Sequence, residues 1–184
     1  MNDDGLERLL DRARSGETEA LGDLCTRFYP KVLRYMHYRV AADLAEDLTG
    51  EVFVRVLRNL GKQRGSFHAW LFRIAERVVI DHRRAAGAKK RTIMNAMTEQ
   101  HQEQAQDKTD VAETVAARID LEQAVERLSD DQRQLVTLKF IEGLGNEDVA
   151  SIMDRSLGAI RVLQFRALSE LRDLMAGKEV RRGA

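Results

Sequence analysis

Apolar residues recur at helical spacing from the start of the chain. Leu6, Leu9, Leu10 and Ala13 fall on one face of a 3.6-residue repeat, and Leu21, Leu24, Cys25 and Phe28 repeat the pattern after a break at Ser15-Gly16, with Thr18 as a candidate cap. Pro30 predicts an interruption or kink before Val32, Leu33 and Met36, because proline lacks the amide donor and crowds the preceding turn. A further helix is predicted from about Leu44 to Leu60. It carries two apolar stripes, one of Leu44, Leu48 and Val52 and one of Phe53, Val56, Leu57 and Leu60, and therefore two packing surfaces. Gly61-Lys62-Gln63-Arg64-Gly65 reads as an exposed loop, with Ser66 placed to cap the next helix. On that helix Phe67, Trp70, Leu71, Ile74, Ala75 and Val78 form a core face, while Arg73, Arg77 and Arg84 lie within about 40° of one another elsewhere.

Between about Ala85 and Val115 apolar density falls, and the stretch MTEQHQEQAQDKTD is too polar to bury a useful core, so it reads as a linker. Helical spacing then resumes. Leu121, Val125 and Leu128 predict a short helix, Ser129 can cap a second through about Ile141, and Gly143 with Gly145 supplies a turn. A helix over Asn146 to Met153 follows, then one starting after Ser156 with Ile160, Leu163, Ala167, Leu171 and Leu174 on one side. One proline and 5% aromatic residues favour helical bundles over a sandwich or barrel. The expected fold is all-α, with two small helical domains over residues 1–91 and 117–177, a flexible acidic linker over 92–116 and a basic tail over 178–184.

Net charge is zero, but its distribution is uneven. From Arg55 to Arg91 there are eleven Lys/Arg against only Glu76 and Asp81, and from Thr92 to Asp131 ten Asp/Glu against three basic residues. The basic block fits a polyanion partner, and it also fits a solvated helix face. Cys25 is the only cysteine, which rules out an internal disulfide and a clustered thiol zinc site and points to packing. His37, His68, His82 and His101 are dispersed, and no phosphate loop, metal-ligand spacing or nucleophile motif appears. Asp81 and His82 are adjacent, so on a helix they point about 100° apart and make no dyad. No catalysis, metal or cofactor is expected. The chain does not start with a basic segment and an apolar run, and no stretch approaches the roughly 18 apolar residues of a membrane span, so cytoplasmic residence without membrane insertion is expected.

The strongest local pattern is a helix-turn-helix. Small Ala150 beside Val149 allows close helix approach, and Ile160 and Leu163 tie the second helix to a core. With Ile160 inward, the outward side presents Arg161, Val162, Phe165, Arg166 and Ser169, which combine donors for phosphate or guanine with apolar surface for base methyls. A packed helical hairpin with surface arginines is the alternative.

At this point the sequence resembles the extracytoplasmic-function class of sigma factors, over most of its length. FYPKVLRYMHYRV is similar to the family's first conserved helix, AEDLTGEVFVRVL to its polymerase-binding region, and FHAWLFRIAERVVIDHRR to its promoter-melting region. LSDDQRQLVTLKFIEGLGNEDVASIMDRSLGAIRVLQFRALSELR is similar to its fourth region, and the order and separations match. The resemblance implies a bacterial, cytoplasmic, non-catalytic subunit. Its implied partners are core RNA polymerase, through the clamp helices and flap, double- and single-stranded promoter DNA, and an anti-sigma factor.

It implies that Asp47, Leu48, Glu51, Val52 and Phe53 dock on polymerase, the three apolar ones being equally readable as core. Asn59, Lys62, Gln63, Arg64, Arg73, Arg77 and Arg84 are implied to handle the minus-ten element, the loop by gripping an unstacked base. Arg155, Ser156, Arg161, Val162, Phe165 and Arg166 are implied to read the upstream, minus-thirty-five element. Read this way, the acidic linker threads the polymerase cleft; otherwise it is a solvated tether. The chain departs from the usual family pattern at Asp154-Arg155, where glycine and an apolar residue are common, at Ala159, Val162 and Leu163, and at Thr49-Gly50. Promoter preference therefore does not carry over. A conventional helix-turn-helix regulator with an N-terminal partner-binding domain, or a protein-only adaptor, would share much of this pattern.

Overall fold

The computed structural model describes residues 3–94, 121 and 123–182. Four helices build the N-terminal half: α1 (Asp3–Arg14), α2 (Thr18–Arg39), α3 (Ala42–Asn59), followed by a 3-10 turn (Leu60–Lys62), and α4 (Phe67–Met94). A helical turn over 123–126 leads into α5 (Asp130–Val136), a π-helical segment (Thr137–Ile141), α6 (Asn146–Met153) and α7 (Leu157–Arg182). The described residues contain no strand.

The N-terminal core is formed where the predicted stripes converge. Leu10, Leu24, Phe28, Val32, Tyr35, Met36, Val52, Val56, Leu71 and Phe72 are fully buried. Phe28 meets Phe67 edge-on at 4.9 Å, and Tyr35 meets Phe72 edge-on at 5.4 Å. Burying a side chain of this size contributes about 1.5–3 kcal/mol, which explains why Pro30 does not divide α2. The proline and Thr26, whose carbonyl loses its amide donor, both lie on the exposed side, while Phe28, Val32 and Tyr35 anchor the helix on either side of them. Thr18 is not the cap of α2. That position belongs to Glu17, whose carboxylate accepts from Arg12 and makes no cap bond. Ser66 does cap α4, accepting from the Ala69 amide at 3.2 Å.

Two expected boundaries move. α4 continues to Met94, three residues into the stretch read as linker, because a helix already nucleated extends cheaply through Lys, Arg and Thr. Likewise α7 carries its backbone through Arg182, into the expected tail. The rest of the linker, 95–116, and its proposed path lie outside the described residues.

In the C-terminal half Ser129 and Gln132 form a reciprocal capping box at the start of α5, as the Ser129 signal predicts. Leu128, Leu135, Leu138, Val149, Ile160 and Ala167 are buried. Leu121 is 47% exposed and does not join them. The turn between α6 and α7 is built on Asp154, which takes the left-handed conformation (φ 53°, ψ 49°) while the Asp154 and Arg155 amides donate to the Ala150 carbonyl. The backbone here suits glycine, the residue that the family resemblance expects. Asp154→Gly should raise stability by about 0.5–1 kcal/mol and Asp154→Val should lower it. Urea midpoints of the two variants, moving in opposite directions, would verify this.

The two halves pack on each other. α5 and the π-helical segment lie against α2, and α6 lies against α4.

Candidate nucleic-acid interface

The recognition face of α7 follows from its anchoring. Ile160 is fully buried and Leu163 half-buried, so the opposite side points outward with Arg161, Val162, Phe165 and Arg166 exposed. Phe165 is 75% exposed, more than any other large apolar side chain among the described residues. Ser156 caps α7, accepting from the Ala159 amide at 3.2 Å, and Arg155 is ion-paired with Asp131. These two of the six implied residues therefore have intramolecular tasks, and the remaining four form the open face.

The loop before α4 is less open than its composition implies. Lys62 is exposed, but Gln63 is turned inward at 1% exposure. Its Oε1 accepts from Arg14 and its Nε2 donates to the Gly65 carbonyl at 2.6 Å, so both ends of the amide are engaged within the protein. Gln63 thus presents no edge to a base and instead shapes the loop. Asn59 donates to the Arg55 carbonyl at 2.8 Å, and Arg64 donates to the Gly61 and Gln63 carbonyls. Beside this loop is a cleft of about 640 Å³ lined by Leu6, Glu7, Arg14, Arg64, Phe67 and His68. The participation of α1 was not legible from the chain order, since it requires α1 to pack back over residues nearly fifty positions away.

Along α4, Arg77 and Arg84 are exposed, whereas Arg73 is half-buried and donates to the Ser151 hydroxyl on α6. Trp70 is half-buried against the core, 5.8 Å from the Phe67 ring, as its stripe predicts.

On α3 the expected polymerase-docking set divides. Leu48 and Phe53 are 7% exposed and Val52 is fully buried, so these three serve the core, because the helix packs on two sides. Asp47 and Glu51 are exposed. Glu51 accepts from Arg55 at 2.5 Å, and Arg55 also reaches Asp81 at 2.7 Å. Val54, 46% exposed, continues the face of Asp47 and Glu51 at i, i+4, i+7 spacing, and Leu57 beside it is 42% exposed. The spacing alone could have identified Val54.

A polar network, buried at Tyr35, Arg39, Glu76 and Gln134 and open to solvent at Arg34, Arg83 and Asp130, joins the halves. The Tyr35 hydroxyl donates to Glu76 Oε2 at 2.6 Å and accepts from Gln134 Nε2 at 3.2 Å. Arg39 Nη2 donates to Glu76 at 3.1 Å and its Nη1 to Asp130 at 2.6 Å, while Arg83 reaches Asp130 at 2.7 Å. Arg34 donates to Glu142 at 2.8 Å. Burial pushes the Asp130 carboxyl upward, but Arg83 and Arg39 outweigh it and hold it down at about 2. Burial raises Glu142, with Arg34 offsetting only part of the rise.

The two carboxyls act in opposite directions with pH. Asp130, depressed below its ordinary 3.8, contributes stability that is present above that value and is lost as pH falls towards about 2. Glu142, raised above 4.5, is costly to bury while charged, and that cost is relieved as pH falls through its shifted value towards 4.5. Thermal melting between pH 7 and pH 2 should therefore change little down to about pH 4 and fall steeply below it. Asp130→Asn should flatten that acid limb, and an unchanged limb would remove Asp130 from the account.

The described residues contain no group of three or more His, Cys, Asp or Glu placed to hold a metal, and no helix long and apolar enough to cross a membrane. Comparison with known proteins agrees with the architecture. Family models for Sigma-70 region 2 and Sigma-70, region 4 match residues 24–89 and 118–171. The ECF RNA polymerase sigma factor BldN of Streptomyces coelicolor is 36% identical over 173 residues, covering 91% of this chain and 64% of BldN, so the chain spans just under two thirds of that relative's length. The ECF RNA polymerase sigma factor ShbA of Streptomyces griseus is 33% identical over 178 residues, covering 90% of this chain and 93% of ShbA. The sigma factor RpoE from Bartonella quintana, solved in complex with the anti-sigma factor NepR, shares the fold at 21% identity, with a TM-score of 0.66 over 84% of this chain and 96% of that one. With both region models matched in order along one chain, and a relative one-third identical over nine-tenths of both proteins, the chain belongs to the sigma-70 family, in the extracytoplasmic-function class.

Proposed function

We propose that the chain is an alternative sigma factor, which binds core RNA polymerase, directs it to promoters and starts transcription in the bacterial cytoplasm without catalysing a reaction itself. The observation that carries this is the open face of α7, where Arg161, Val162, Phe165 and Arg166 stand outward on a helix-turn-helix tied down by Ile160, in a chain whose other half matches the region-2 model. In this reading α7 enters the major groove of the minus-thirty-five element, where arginine serves guanine or phosphate and the apolar side chains meet base methyls. Lys62 and Arg64 draw the minus-ten strand to the loop, with the cleft beside α1 available for an unstacked base, and Arg77 and Arg84 follow the phosphates. Asp47, Glu51 and Val54 form the face that meets the polymerase clamp helices, and α5 to α7 reach the flap. Since RpoE is solved with an anti-sigma factor, we extend that class of partner to this chain as its inhibitor.

Arg161→Ala and Arg166→Ala should each weaken minus-thirty-five binding by about 1–3 kcal/mol where they contact a base, and uniformly across sequences where they contact phosphate. Affinities for a set of single-base variants of the site distinguish the two. The test of the whole reading is transcription by cognate core polymerase from a randomised promoter library. Initiation from a selected sequence class is expected. DNA binding with no polymerase association would instead identify a conventional regulator.

A further inference from the structure

Arg155 stands at the edge of the recognition face and is held from two directions. It immediately precedes Ser156, the residue that caps α7. Its amide donates to the Ala150 carbonyl at 3.0 Å, just after the left-handed Asp154, so the backbone of the turn is pinned. Its side chain reaches across to α5, where Nη2 donates to Asp131 Oδ2. Asp131 lies 24 positions earlier, in the first turn of α5, where a carboxylate also suits the helix dipole.

The pair is open to solvent, with the Arg155 and Asp131 side chains 42% and 49% exposed. An exposed ion pair is too weak to keep an arginine from a competing phosphate, but it is strong enough to favour one side-chain orientation over others. Asp131 is the only ion-pair or hydrogen-bond partner of the Arg155 side chain among the described residues, and it engages Nη2 alone, leaving the rest of the donor fork open. A pair of donors in one plane is what guanine O6 and N7 accept. The family pattern commonly has an apolar residue at this position, so neither the arginine nor its tether follows from the resemblance.

We propose that Asp131 is a positioning residue for promoter recognition: through the ion pair it aims the Arg155 guanidinium at one guanine of the minus-thirty-five element. The inference rests on the proposed function, in which α7 enters the major groove with its N-terminal residues nearest to the base edges. A phosphate contact would hold every sequence alike, whereas a guanidinium of fixed orientation favours the base that offers two acceptors in one plane. The Asp131 carboxylate itself repels DNA. Asp131 therefore has two effects of opposite sign, lowering affinity for every sequence alike and raising the preference for guanine at one position.

The test uses the full chain assembled with cognate core polymerase and a promoter library randomised across the minus-thirty-five element, with the bound sequences counted. The wild-type enzyme is expected to select a guanine whose enrichment falls by about fivefold or more in Arg155→Ala. Asp131→Asn should reduce enrichment of that same guanine by about twofold to fivefold, the range that an exposed ion pair supplies, while total DNA retention stays level or rises. Adding Asp131→Asn to Arg155→Ala should cause no further loss at that position, because the tether has nothing left to aim. Asp131→Glu should restore part of the preference, and Glu170→Gln, an exposed charge change elsewhere on α7, should leave it intact. A merely structural role would instead lower preference at all positions together and would show in the circular-dichroism melt. No guanine sensitive to Arg155→Ala, a preference in Asp131→Asn equal to wild type, or independent effects of the two substitutions would each overturn the proposal and leave the sigma-factor reading standing. If the wild-type enzyme selects no sequence class, that reading fails and the proposal falls with it.

Discussion

Replacing Arg39 by alanine is expected to reduce the free energy of unfolding by about 3–5 kcal/mol, because it leaves a buried carboxylate without its cation. The Arg39 side chain is 1% exposed and Glu76 10% exposed, and once the guanidinium is gone Glu76 keeps only the Tyr35 hydroxyl among its described partners. Burial opposes the Arg39 charge, and Glu76 and Asp130 together hold it in place. For a chain of this size, roughly 2–4 °C of melting temperature per kcal/mol predicts a fall of about 6–20 °C. Arg39→Met combined with Glu76→Leu should recover most of the loss, since removing both charges leaves neither one unpaired. A single Arg39→Ala variant that melts within about 2 °C of the parent would show that the network is not structural.

Ile160→Ala should cost about 2–5 kcal/mol in the C-terminal half, since it empties the position that seats α7 on α5 and α6. Ile160 is fully buried, whereas Val162, two residues along, is 52% exposed. Val162→Ala should therefore change stability by no more than about 0.5 kcal/mol. The functional consequences should differ in kind. Losing Ile160 misaims every side chain on the recognition face, so all minus-thirty-five binding falls. Losing Val162 removes at most one apolar contact and alters preference at one position. Urea melts paired with duplex-binding assays separate these cases, and equal melts for the two variants would contradict the assigned seating.

Much of this was legible in the chain. Helix-forming stripes located α3, α4, α6 and α7, the Ser129 and Ser66 signals located two caps, and Ile160 was enough to orient α7, because on an isolated helix the buried side determines the exposed side. The errors have a common cause. Pro30 was weighed by its local cost, yet the packing on either side of it outweighs that cost. The family resemblance places Leu48, Val52 and Phe53 on a partner surface while their spacing equally allows the core, and the packing of α3 on two sides decides for the core. Gln63 looked available because its neighbours are Lys62 and Arg64, and only the return of α1, bringing Arg14 to its amide, turns it inward.

The sequence by itself determined α3, α4, α6 and α7 and four of the five residues expected outward on α7, Ser169 being half-buried in the structure, since each depends on interactions within a few residues of chain. Only the tertiary structure decided what happens between the halves. Arg39 and Asp130 are 91 positions apart, Arg34 and Glu142 are 108 apart, and Arg73 and Ser151 are 78 apart. No local pattern pairs charges over such distances. Whether an arginine faces solvent, DNA or a carboxylate depends on which surface is brought against it, and the packing of α5, α6 and the π-helical segment on α2 and α4 makes that choice.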